Sequence, residues 1–510
     1  MALAKINPKK LNSWTNLEEQ FKDESSKHIL NFFDEENRLE NFSIQWNDFY
    51  LDFSKNKLSK TTLEYLFKLC EETELKQNIE KYYNGSIINE TELRAVLHTS
   101  LRSNNKTEEV NNTLERIISI SDEINSGKRR GSTGKKIKDI VNVGIGGSHL
   151  GPEMVTSALS FYNTGIQPHF ISNIDSDFTT KILEKLNPET TVFIIVSKTF
   201  TTIETLKNTE KIKGWFIQKL DKSCIKDHFI AVTNNYKAPK DFGISSNNIL
   251  PIPEWVGGRF SLWGSVGLII AIVIGSKNFN EFLDGAGEMD HHFINAPFNK
   301  NIPVILALIN IWYNTFFKYN SEAVIPYSQF LEKFPDYLQQ VSMESNGKSI
   351  DRDGKKVNYE TGSIIWGSTG TNAQHAFFQL MHQGTKVVPS DFIAFKECLY
   401  GDTDHHEILI ANFLAQTNAL MVGSIDNSHK NIDGNKPSNS ILINKLSPSA
   451  LGSLISMYEH KIFTVGSILN IYSYDQWGVE LGKSISKEIL KDNLKSLDSS
   501  TIKLRRLIKD

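Results

Sequence analysis

The spacing of apolar residues divides the chain into two regions. Up to about residue 125, charged and apolar residues alternate with helical periodicity. The segment Thr61–Leu75 is an example, since one helix face would collect Leu63, Leu66, Phe67 and Cys70. Beyond residue 125, short continuous apolar runs are bounded by Gly, Asn, Ser and Asp, a pattern typical of buried strands. The sequence therefore predicts a helical N-terminal segment followed by α/β structure.

Two sets of strands alternate with helices in the α/β region. The first set is predicted at Ile140–Ile145, His169–Ile174, Thr191–Val196 and Phe229–Val232. After a helical stretch at Asn301–Phe317, the second set is predicted at Ala323–Pro326, Ser363–Trp366 and Lys386–Phe392, with helices at Asn372–Gln383 and His406–Met421. Because strands alternating with helices imply right-handed crossovers, each set predicts a mostly parallel sheet covered by helices.

The length of 510 residues fits this tandem arrangement, since ~150 residues per domain gives two to four units. We predict a helical segment at 1–125 that packs on the second α/β domain. The first α/β domain is predicted at 126–285, the second at 286–485 and a C-terminal helix at 486–510. The segment Ile425–Ser440, rich in Asn, Asp and Ser, is predicted to be an exposed loop.

Composition narrows the class of protein. The 59 acidic and 56 basic residues give a net charge of -3, which provides no general attraction to nucleic acid or to acidic membranes. The three cysteines, Cys70, Cys224 and Cys398, lie far apart and indicate neither a disulfide framework nor a zinc site. The N-terminus lacks the apolar core of a signal peptide, and the apolar run Val266–Ile274 is too short to span a bilayer. We expect a cytoplasmic globular protein that holds any anionic ligand at a local site.

A glycine-rich turn, Gly144–Ser148, follows the first predicted strand. Glycines there let backbone N–H groups approach an anion, and the next helix start adds partial positive charge. A dinucleotide site is the alternative, because Gly144 and Gly146 match its first two glycines and Asp175 ends the next strand. His149 occupies the place of its third glycine. A purely structural turn is equally compatible with this motif.

A second loop, Ser197–Thr205, begins where the third strand ends. Its Ser and Thr residues are good helix N-caps, which is the simplest explanation for them. Five hydroxyls and Lys198 nevertheless exceed what capping requires, and they suit a phosphate monoester. A Gly-x-x-x-x-Gly-Lys-Ser/Thr pattern is missing, so a nucleoside triphosphate is not indicated. Both loops lie at the carboxyl ends of strands, where open α/β sheets bind ligands.

Charged residues farther along the chain provide candidates for chemistry. Arg259 directly follows two glycines, and Glu344 lies near the end of an amphipathic helix. His375 is predicted in the first turn of a helix, where a proton shuttle is one role and helix capping is another. Asp475 is predicted to cap a helix that carries Gln476 and Lys483 on one face. Each residue also has an ordinary structural explanation, so the residues alone predict a phosphate-binding α/β enzyme without fixing its reaction.

Six segments, in this order, resemble the phosphoglucose isomerase family. Two are close to family signatures, Glu254–Gly267 and Gly466–Lys483. Four more look like family motifs: Val143–Pro152, Ser197–Thr202, Met343–Lys348 and Gln374–Phe377. The similarity extends from about residue 40 to 485. One departure is Val341-Ser342, where many members have Gly-Asp, although Gln340 and Glu344 keep their family spacing.

The resemblance implies two sugar-isomerase domains, a homodimer with a shared active site, and neither a metal nor a nicotinamide cofactor. It implies the reversible conversion of glucose 6-phosphate into fructose 6-phosphate. Glu344 would carry the proton between C2 and C1 through a cis-enediol, and Arg259 would stabilise the charge of this intermediate. His375, from the partner subunit, and Lys483 would open the sugar ring.

The resemblance also assigns the binding residues. Gln340 and Gln476 would position sugar hydroxyls or water. The phosphate would lie against Ser197, Thr199 and Thr202, with a backbone contact from Lys198, and the same pocket would be lined by Gly147 and Ser148.

Three alternatives remain open from the sequence. A non-catalytic sugar-phosphate regulator would keep the hydroxyl-rich loop, but the combination of Glu344, Arg259, His375 and Lys483 argues against it. A nucleotide-dependent oxidoreductase rests on Gly144, Gly146 and Asp175. An isomerase of a related sugar phosphate, such as mannose 6-phosphate, differs only in substrate preference.

Overall fold

The computed structural model describes residues 2–493 and 497–509. The chain forms two compact units, Met1–Ser473 and Tyr474–Asp510, each described here by itself. Within the described residues, two sheets are built from β1 (Ser43–Trp46), β2 (Phe49–Asp52), β3 (Asp139–Val143), β4 (Gln167–Ile171), β5 (Thr191–Val196), β6 (Phe229–Val232), β7 (Ile249–Leu250), β8 (Ser321–Pro326), β9 (Ile364–Gly367), β10 (Ser390–Glu397) and β11 (Ser438–Lys445).

The helices precede, separate and follow these strands. In the N-terminal segment and around the first sheet they are α1 (Asn12–Glu24), α2 (Arg38–Asn41), α3 (Lys60–Glu72), α4 (Leu75–Tyr83), α5 (Glu108–Asn125), α6 (Leu150–Ala158), α7 (Ser176–Leu183), α8 (Ile203–Ile217), α9 (Ile225–His228), α10 (Lys237–Phe242) and α11 (Leu268–Ile274). Later in the chain they are α12 (Ser276–Asn295), α13 (Ile302–Ile311), α14 (Phe334–Gln339), α15 (Gly370–Gln374), α16 (Phe378–Gln383), α17 (Thr403–Val422), α18 (Pro448–Ile468), α19 (Glu480–Leu490) and α20 (Ser499–Lys509). Short 3-10 turns connect many of these helices and strands.

The first sheet is entirely parallel, in the order β4-β3-β5-β6-β7. Strands β3, β5 and β6 are buried on both faces, which explains why their sequences are continuous apolar runs. Strands β5 and β6 have the predicted bounds. The chain leaves β3 for β4 on one side and then places β5 on the other side. The carboxyl ends of β3 and β5 therefore form a topological switch point, the place where such sheets bind ligands.

The second sheet has the order β1-β2-β11-β10-β8-β9. Strands β8 to β11 are parallel, and the hairpin β1–β2 adds two antiparallel strands from the N-terminal segment. The prediction of a wholly helical segment at 1–125 is therefore wrong at this hairpin. Its strands are four residues long and bury alternate residues, Ile44 on β1 and Phe49 and Leu51 on β2, a signal too short to stand out in the sequence.

The predicted exposed loop Ile425–Ser440 is also corrected. Its last three residues, Ser438–Ser440, are buried at the start of β11. Asn439 is tolerated there because its side chain finds a partner in the core: its amide donates to Asp391 at 2.7 Å. Polar composition therefore hid the beginning of a central strand.

The predicted helix Asn372–Gln383 is two helices, α15 and α16, separated at 375–377. The Asn301–Phe317 helix is present as α13, followed by the π-helical turn Trp312–Phe316. Near the C-terminus, α19 crosses the predicted domain boundary at 485/486, and residues 494–496 lie outside the described residues.

The predicted fold class is confirmed: α/β structure with mostly parallel sheets flanked by helices. The predicted domain boundaries themselves stay a prediction. Cys70, Cys224 and Cys398 are free thiols. None of the helices in the described part of the chain is both long and apolar enough to cross a membrane.

Candidate active site

The glycine-rich turn leaves β3 at the switch point and enters α6 through a 3-10 turn, Gly146–Ser148. Gly146 has a φ of 59°, a left-handed conformation that favours glycine. A Cβ atom at Gly146 would lie 3.1 Å from Nε2 of Gln340. The turn therefore lies directly against the segment that carries Gln340 and Glu344.

Gly147 brings a third segment into the site. A Cβ atom here would lie 2.1 Å from the carbonyl oxygen of Gly258 and 2.6 Å from the amide nitrogen of Arg259. Only glycine permits this approach, because backbone atoms cannot move aside as a flexible side chain can. The predicted phosphate turn and the predicted arginine loop are thus in contact.

The Ser197–Thr202 loop begins at the carboxyl end of β5, the neighbouring strand. Its hydroxyls do not cap the following helix. Ser197 and Thr202 pair with each other at 3.1 Å, and Thr199 and Thr201 at 2.6 Å. The first turn of α8 retains the free N–H groups of a helix start, which suit an anion. Capping therefore does not explain this run of hydroxyls.

Phe200 gives the loop its shape. Its φ is 55°, unusual for a bulky residue, and its ring is buried in the core of the first sheet. The amide of Phe200 donates to the carbonyl of Ser197 at 3.1 Å, which closes a tight turn. Burial of the ring offsets the backbone strain and holds the neighbouring hydroxyls near the surface.

The ammonium group of Lys198 points to the loop that precedes Arg259. It donates to the carbonyls of Glu254 and Val256 at 3.1 and 3.3 Å, and it lies 3.3 Å from the Glu254 carboxylate. Burial lowers the pKa of Lys198, and the charge of Glu254 opposes this effect. Because these contacts engage the ammonium group, the backbone of Lys198, rather than its charge, is the part available to the loop that precedes α8.

Glu344 lies at the end of a π-helical turn, Gln340–Glu344, that continues α14. Such turns are rare and often occur at functional sites. Nε2 of Gln340 donates to Oε2 of Glu344 at 3.1 Å, across one turn. The Glu344 side chain is 19% exposed, so its carboxylate is accessible but held.

Arg259 faces this carboxylate. Its side chain is 2% exposed, and Nη1 lies 3.7 Å from Oε2 of Glu344. Nε donates to Oγ of Ser345 at 2.8 Å, and Nη2 donates to the carbonyl of Ser473 at 2.6 Å. A carboxylate and a fixed positive charge are therefore adjacent, an arrangement that is chemically able to remove a proton beside a carbonyl group.

His375 is not in the first turn of a helix, as predicted. It follows the last residue of α15, and its imidazole is exposed. His375 lies at the break between α15 and α16, where it is exposed on the surface of the molecule.

The remaining candidates belong to the unit Tyr474–Asp510. Gln476, not Asp475, precedes a 3-10 turn at Trp477–Val479, and α19 follows it. Lys483 is exposed on α19 and pairs with Glu480 at 2.8 Å. The predicted cap at Asp475 is therefore wrong.

Asp175 has a structural use that weakens the dinucleotide alternative. One of its carboxylate oxygens accepts from the amides of Asp177 and Phe178 at 3.0 and 3.3 Å, so it caps α7. A ribose-binding acid would need this carboxylate free. His149, in place of the third glycine, is partly buried, and burial lowers its pKa.

A large cavity of about 910 Å³ lies elsewhere, between α3, α4 and the segment Phe293–Lys300. It contains none of the predicted site residues. Four acidic and three basic side chains line it: Glu40, Glu64, Glu71, Glu80, Lys60, Lys76 and Lys300.

Comparison with known proteins identifies the family of this chain. The sequence profile described as Phosphoglucose isomerase matches residues 52–504. The chain belongs to the phosphoglucose isomerase family. It is 50% identical, over 536 aligned residues and 99% of both chains, to glucose-6-phosphate isomerase of Christiangramia forsetii. It is 48% identical to the enzyme of that name from Buchnera aphidicola subsp. Cinara cedri, over 99% of this chain and 98% of that one.

A solved structure extends the comparison to three dimensions. The glucose-6-phosphate isomerase of Chlamydia trachomatis superposes with a TM-score of 0.88 at 32% identity, over 99% of both chains. The Thermus thermophilus protein TT0462 shares the fold, with a TM-score of 0.66 at 23% identity over 84% of this chain and 97% of that one. The part of the chain that aligns with these phosphoglucose isomerases therefore includes both sheets and every segment that carries a candidate residue.

Sequence reasoning missed two residues at this candidate site, Ser345 and Ser473, which hold the Arg259 side chain. Ser345 stands beside Glu344 in a family motif, and that adjacency is the only signal the sequence gives. The Ser473 contact is made by a backbone carbonyl, for which no side-chain pattern exists.

Proposed function

We propose that this chain is a glucose-6-phosphate isomerase that interconverts glucose 6-phosphate and fructose 6-phosphate. Family membership and relatives about half identical over the full chain support the reaction. The observation that carries the site is the pair formed by Arg259 and Glu344, 3.7 Å apart beside the glycine turn of the switch point.

The phosphate group lies against Ser197, Thr199 and Thr202 at the start of α8, with the backbone of Lys198 alongside. Gly147 and Ser148 line the same pocket from the neighbouring strand. The paired hydroxyls and the uncapped N–H groups at the start of α8 supply hydrogen-bond donors to the phosphate dianion. A flexible lysine or arginine side chain is not needed for this contact. Binding this group, far from the reacting carbons, orients the sugar for proton transfer.

Proton transfer begins from the open-chain sugar. Glu344 removes the proton from C2 of the aldose, the C–H electrons form the C1–C2 double bond, and negative charge develops on O1. Arg259 stabilises this charge. After a proton moves from O2 to O1, Glu344 returns its proton to C1 and O2 becomes the ketone oxygen. Gln340 holds the carboxylate of Glu344, and Gln476 positions a sugar hydroxyl or water.

Ring opening precedes this step. His375 and Lys483 move protons between the ring oxygen and the C1 hydroxyl. We assign His375 to the active site of a partner subunit in a homodimer, because its ring is exposed at a helix break. Helix α17 packs on both α15 and α16, and it exposes apolar side chains, Ile408 at 65% and Leu414 at 56%. Exposed apolar side chains on a helix that packs against α15 suit a subunit interface.

The proposal includes location and organisation. Free thiols at three positions suit a reducing compartment, and we place the protein in the cytoplasm. We divide the chain into the N-terminal segment 1–125, sugar-isomerase domains at 126–285 and 286–485, and the C-terminal residues 486–510. The regulator without activity is not favoured, since the relatives are named as isomerases.

The base assignment is tested with Glu344→Gln, which keeps the shape and removes the basic oxygen. We expect loss of solvent-proton exchange at C2 of glucose 6-phosphate and a turnover lowered by about 10²–10⁴. Affinity for inorganic phosphate should stay within threefold, roughly, because the phosphate loop is untouched. Glu332→Gln, an exposed carboxylate upstream on the same segment, is the matched control and should retain activity. Near-normal exchange in Glu344→Gln would exclude Glu344 as the base.

The shared active site is tested by coexpressing two differently tagged inactive variants, Glu344→Gln and His375→Ala. If His375 acts across the interface, the purified heterodimer contains one site with both residues intact and regains activity. If both residues act within one subunit, each site keeps a defect and the heterodimer stays inactive. Mannose 6-phosphate, assayed beside fructose 6-phosphate, determines the sugar preference.

A further inference from the structure

We propose that Ser345 is a positioning residue for Arg259, and that its hydroxyl fixes the guanidinium relative to the base on the adjacent residue. This inference rests on the proposed roles of Arg259 and Glu344. It adds a residue that touches neither substrate nor reacting atoms but determines where the positive charge stands.

The geometry places Ser345 behind the guanidinium. Ser345 is fully buried, and its Oγ accepts from Nε of Arg259 at 2.8 Å. Because Nε lies on the stem side of the planar guanidinium group, a bond there fixes the orientation of the whole plane. Nη1 is consequently directed to Glu344, at 3.7 Å. Neighbouring residues 344 and 345 thus contact one guanidinium from two directions.

Ser345 is itself held by a network we call the clasp, formed by Ser345, Asn346, Lys348, Tyr472 and Ser473. The ammonium of Lys348 donates to the carbonyls of Ser345 and Tyr472, each at 2.9 Å. Oγ of Ser473 donates to Oδ1 of Asn346 at 2.7 Å. The clasp ties the segment that carries the base to the segment whose carbonyl binds Nη2 of Arg259.

Close packing and a further bond secure the clasp. Nδ2 of Asn346 donates to the carbonyl of Ile462 on α18 at 3.0 Å. A Cβ atom at Gly466, on the same helix, would lie 1.8 Å from Oγ of Ser473, so only glycine leaves room for this hydroxyl. A rigid helix therefore supports a polar network whose neutral oxygens orient the arginine. Neutral acceptors hold a cation in place without cancelling its charge.

The test is a double-mutant cycle with Ser345→Ala and Arg259→Ala, measured as kcat and KM for fructose 6-phosphate. In the otherwise native enzyme, Ser345→Ala should lower kcat about 10- to 100-fold, as expected when a charged donor loses its hydrogen bond. KM should change less than about threefold, because the phosphate loop is not affected. In the Arg259→Ala background the same substitution should change kcat less than about twofold, since no guanidinium remains to be positioned.

Two further variants separate positioning from folding. Ser121→Ala removes another buried serine, whose hydroxyl donates to the carbonyl of Ala271 at 2.7 Å, away from the site. This control should have a melting temperature similar to that of Ser345→Ala, but a normal kcat. Ser345→Cys keeps the volume but supplies a weak acceptor, so it should lower kcat even if Ser345→Ala does not fold.

The outcomes distinguish a failure of the Ser345 proposal from a failure of the proposed role of Arg259. If Arg259→Ala has a normal kcat, the proposed role of Arg259 is wrong and the positioning role falls with it. If Arg259→Ala is impaired but Ser345→Ala lowers kcat equally in both backgrounds, Ser345 acts independently of the arginine and the inference is overturned. A normal kcat in both Ser345 variants overturns it as well.

Discussion

Two buried arginines of the same unit are held in different ways. Arg102 forms a bidentate pair with Asp290, both contacts at 2.8 Å, and a third charged contact with Glu459 at 2.6 Å. Arg259 instead donates from Nε to a hydroxyl and from Nη2 to a carbonyl, and it meets the Glu344 carboxylate at 3.7 Å. Both side chains are almost inaccessible to solvent.

The difference fits the structural role of Arg102 and the catalytic role that we propose for Arg259. The carboxylates around Arg102 neutralise it, and although burial opposes this, Arg102 and His460 bring the pKa of Asp290 down to about 2. Such a cluster fixes how helices pack. Arg259 donates to two neutral oxygens and keeps its positive charge beside Glu344, the carboxylate that we propose as the base. The two regions are near neighbours, because His98, 3.6 Å from Glu459, stacks on Phe260 at 4.6 Å, next to Arg259.

The largest effect is expected from Arg102→Ala. This change leaves the carboxylates of Asp290 and Glu459 buried without their cation, which should lower the free energy of unfolding by about 3–5 kcal/mol. Urea unfolding followed by tryptophan fluorescence measures the loss. Arg130→Ala, an exposed arginine, is the control and should change stability little. A loss below about 1 kcal/mol for Arg102→Ala would remove the distinction between the two arginines.

Arg259→Ala should give the opposite profile. We expect kcat to fall by about 10²–10³, because a fixed positive charge no longer faces the intermediate. Unfolding should change less than in Arg102→Ala, since the carboxylate left behind at Glu344 is 19% exposed and can still be hydrated. Steady-state kinetics and urea unfolding on the same preparations provide both numbers. A fall in stability with unchanged kcat would make Arg259 another structural arginine.

Acid should weaken the structural region through His292, which shares α12 with Asp290. Burial lowers the pKa of His292 from its ordinary 6.5 to about 4, and its Nε2 accepts from the amide of Ile302 at 3.2 Å. The unfolded chain protonates His292 more readily than the folded chain does. The contribution of neutral His292 to the free energy of unfolding is therefore fully present above pH 6.5. It is lost as the pH falls from 6.5 towards 4, by up to about 3 kcal/mol.

His292→Gln tests this sign. The variant should flatten the fall of the free energy of unfolding between pH 7 and pH 4.5, roughly, compared with the native chain. His405→Gln, at a histidine whose side chain is 89% exposed, is the control for the same substitution at the surface. Equal slopes for the native chain and the His292 variant would contradict the prediction.

The smallest effect is expected where the glycine turn packs against the loop that carries Arg259. Gly147→Ala places a methyl group 2.1 Å from the Gly258 carbonyl, so the two loops must separate. A displacement of about 1 Å near the chemistry commonly costs about 10²-fold in kcat/KM. Gly257→Ala is the matched control, because its Cβ atom would meet only the Phe260 ring at an ordinary 3.6 Å. Similar kinetics for both variants would show that the close approach at Gly147 is dispensable.

Much of the fold and of the site was predictable from local patterns. Strands β5 and β6 are continuous apolar runs bounded by polar residues, so their ends were readable. The glycine turn and the Ser197–Thr202 loop follow strand ends, which places them at one sheet edge without further information. Arg259 and Glu344 were singled out by neighbouring glycines and by resemblance, although their spacing in sequence does not predict contact.

The sequence by itself determined the alternation of strands and helices, the family and the residues available for chemistry, because these depend on local periodicity and short motifs. Tertiary structure alone decided that the hairpin β1–β2 joins the second sheet, that polar Ser438–Ser440 enters a strand, and that a helix breaks at His375. It also decided how Arg259 is held, by Ser345 86 residues away and Ser473 214 residues away. The reason is physical: a buried polar group is stable only where folding supplies its partner, and no local pattern records where that partner lies.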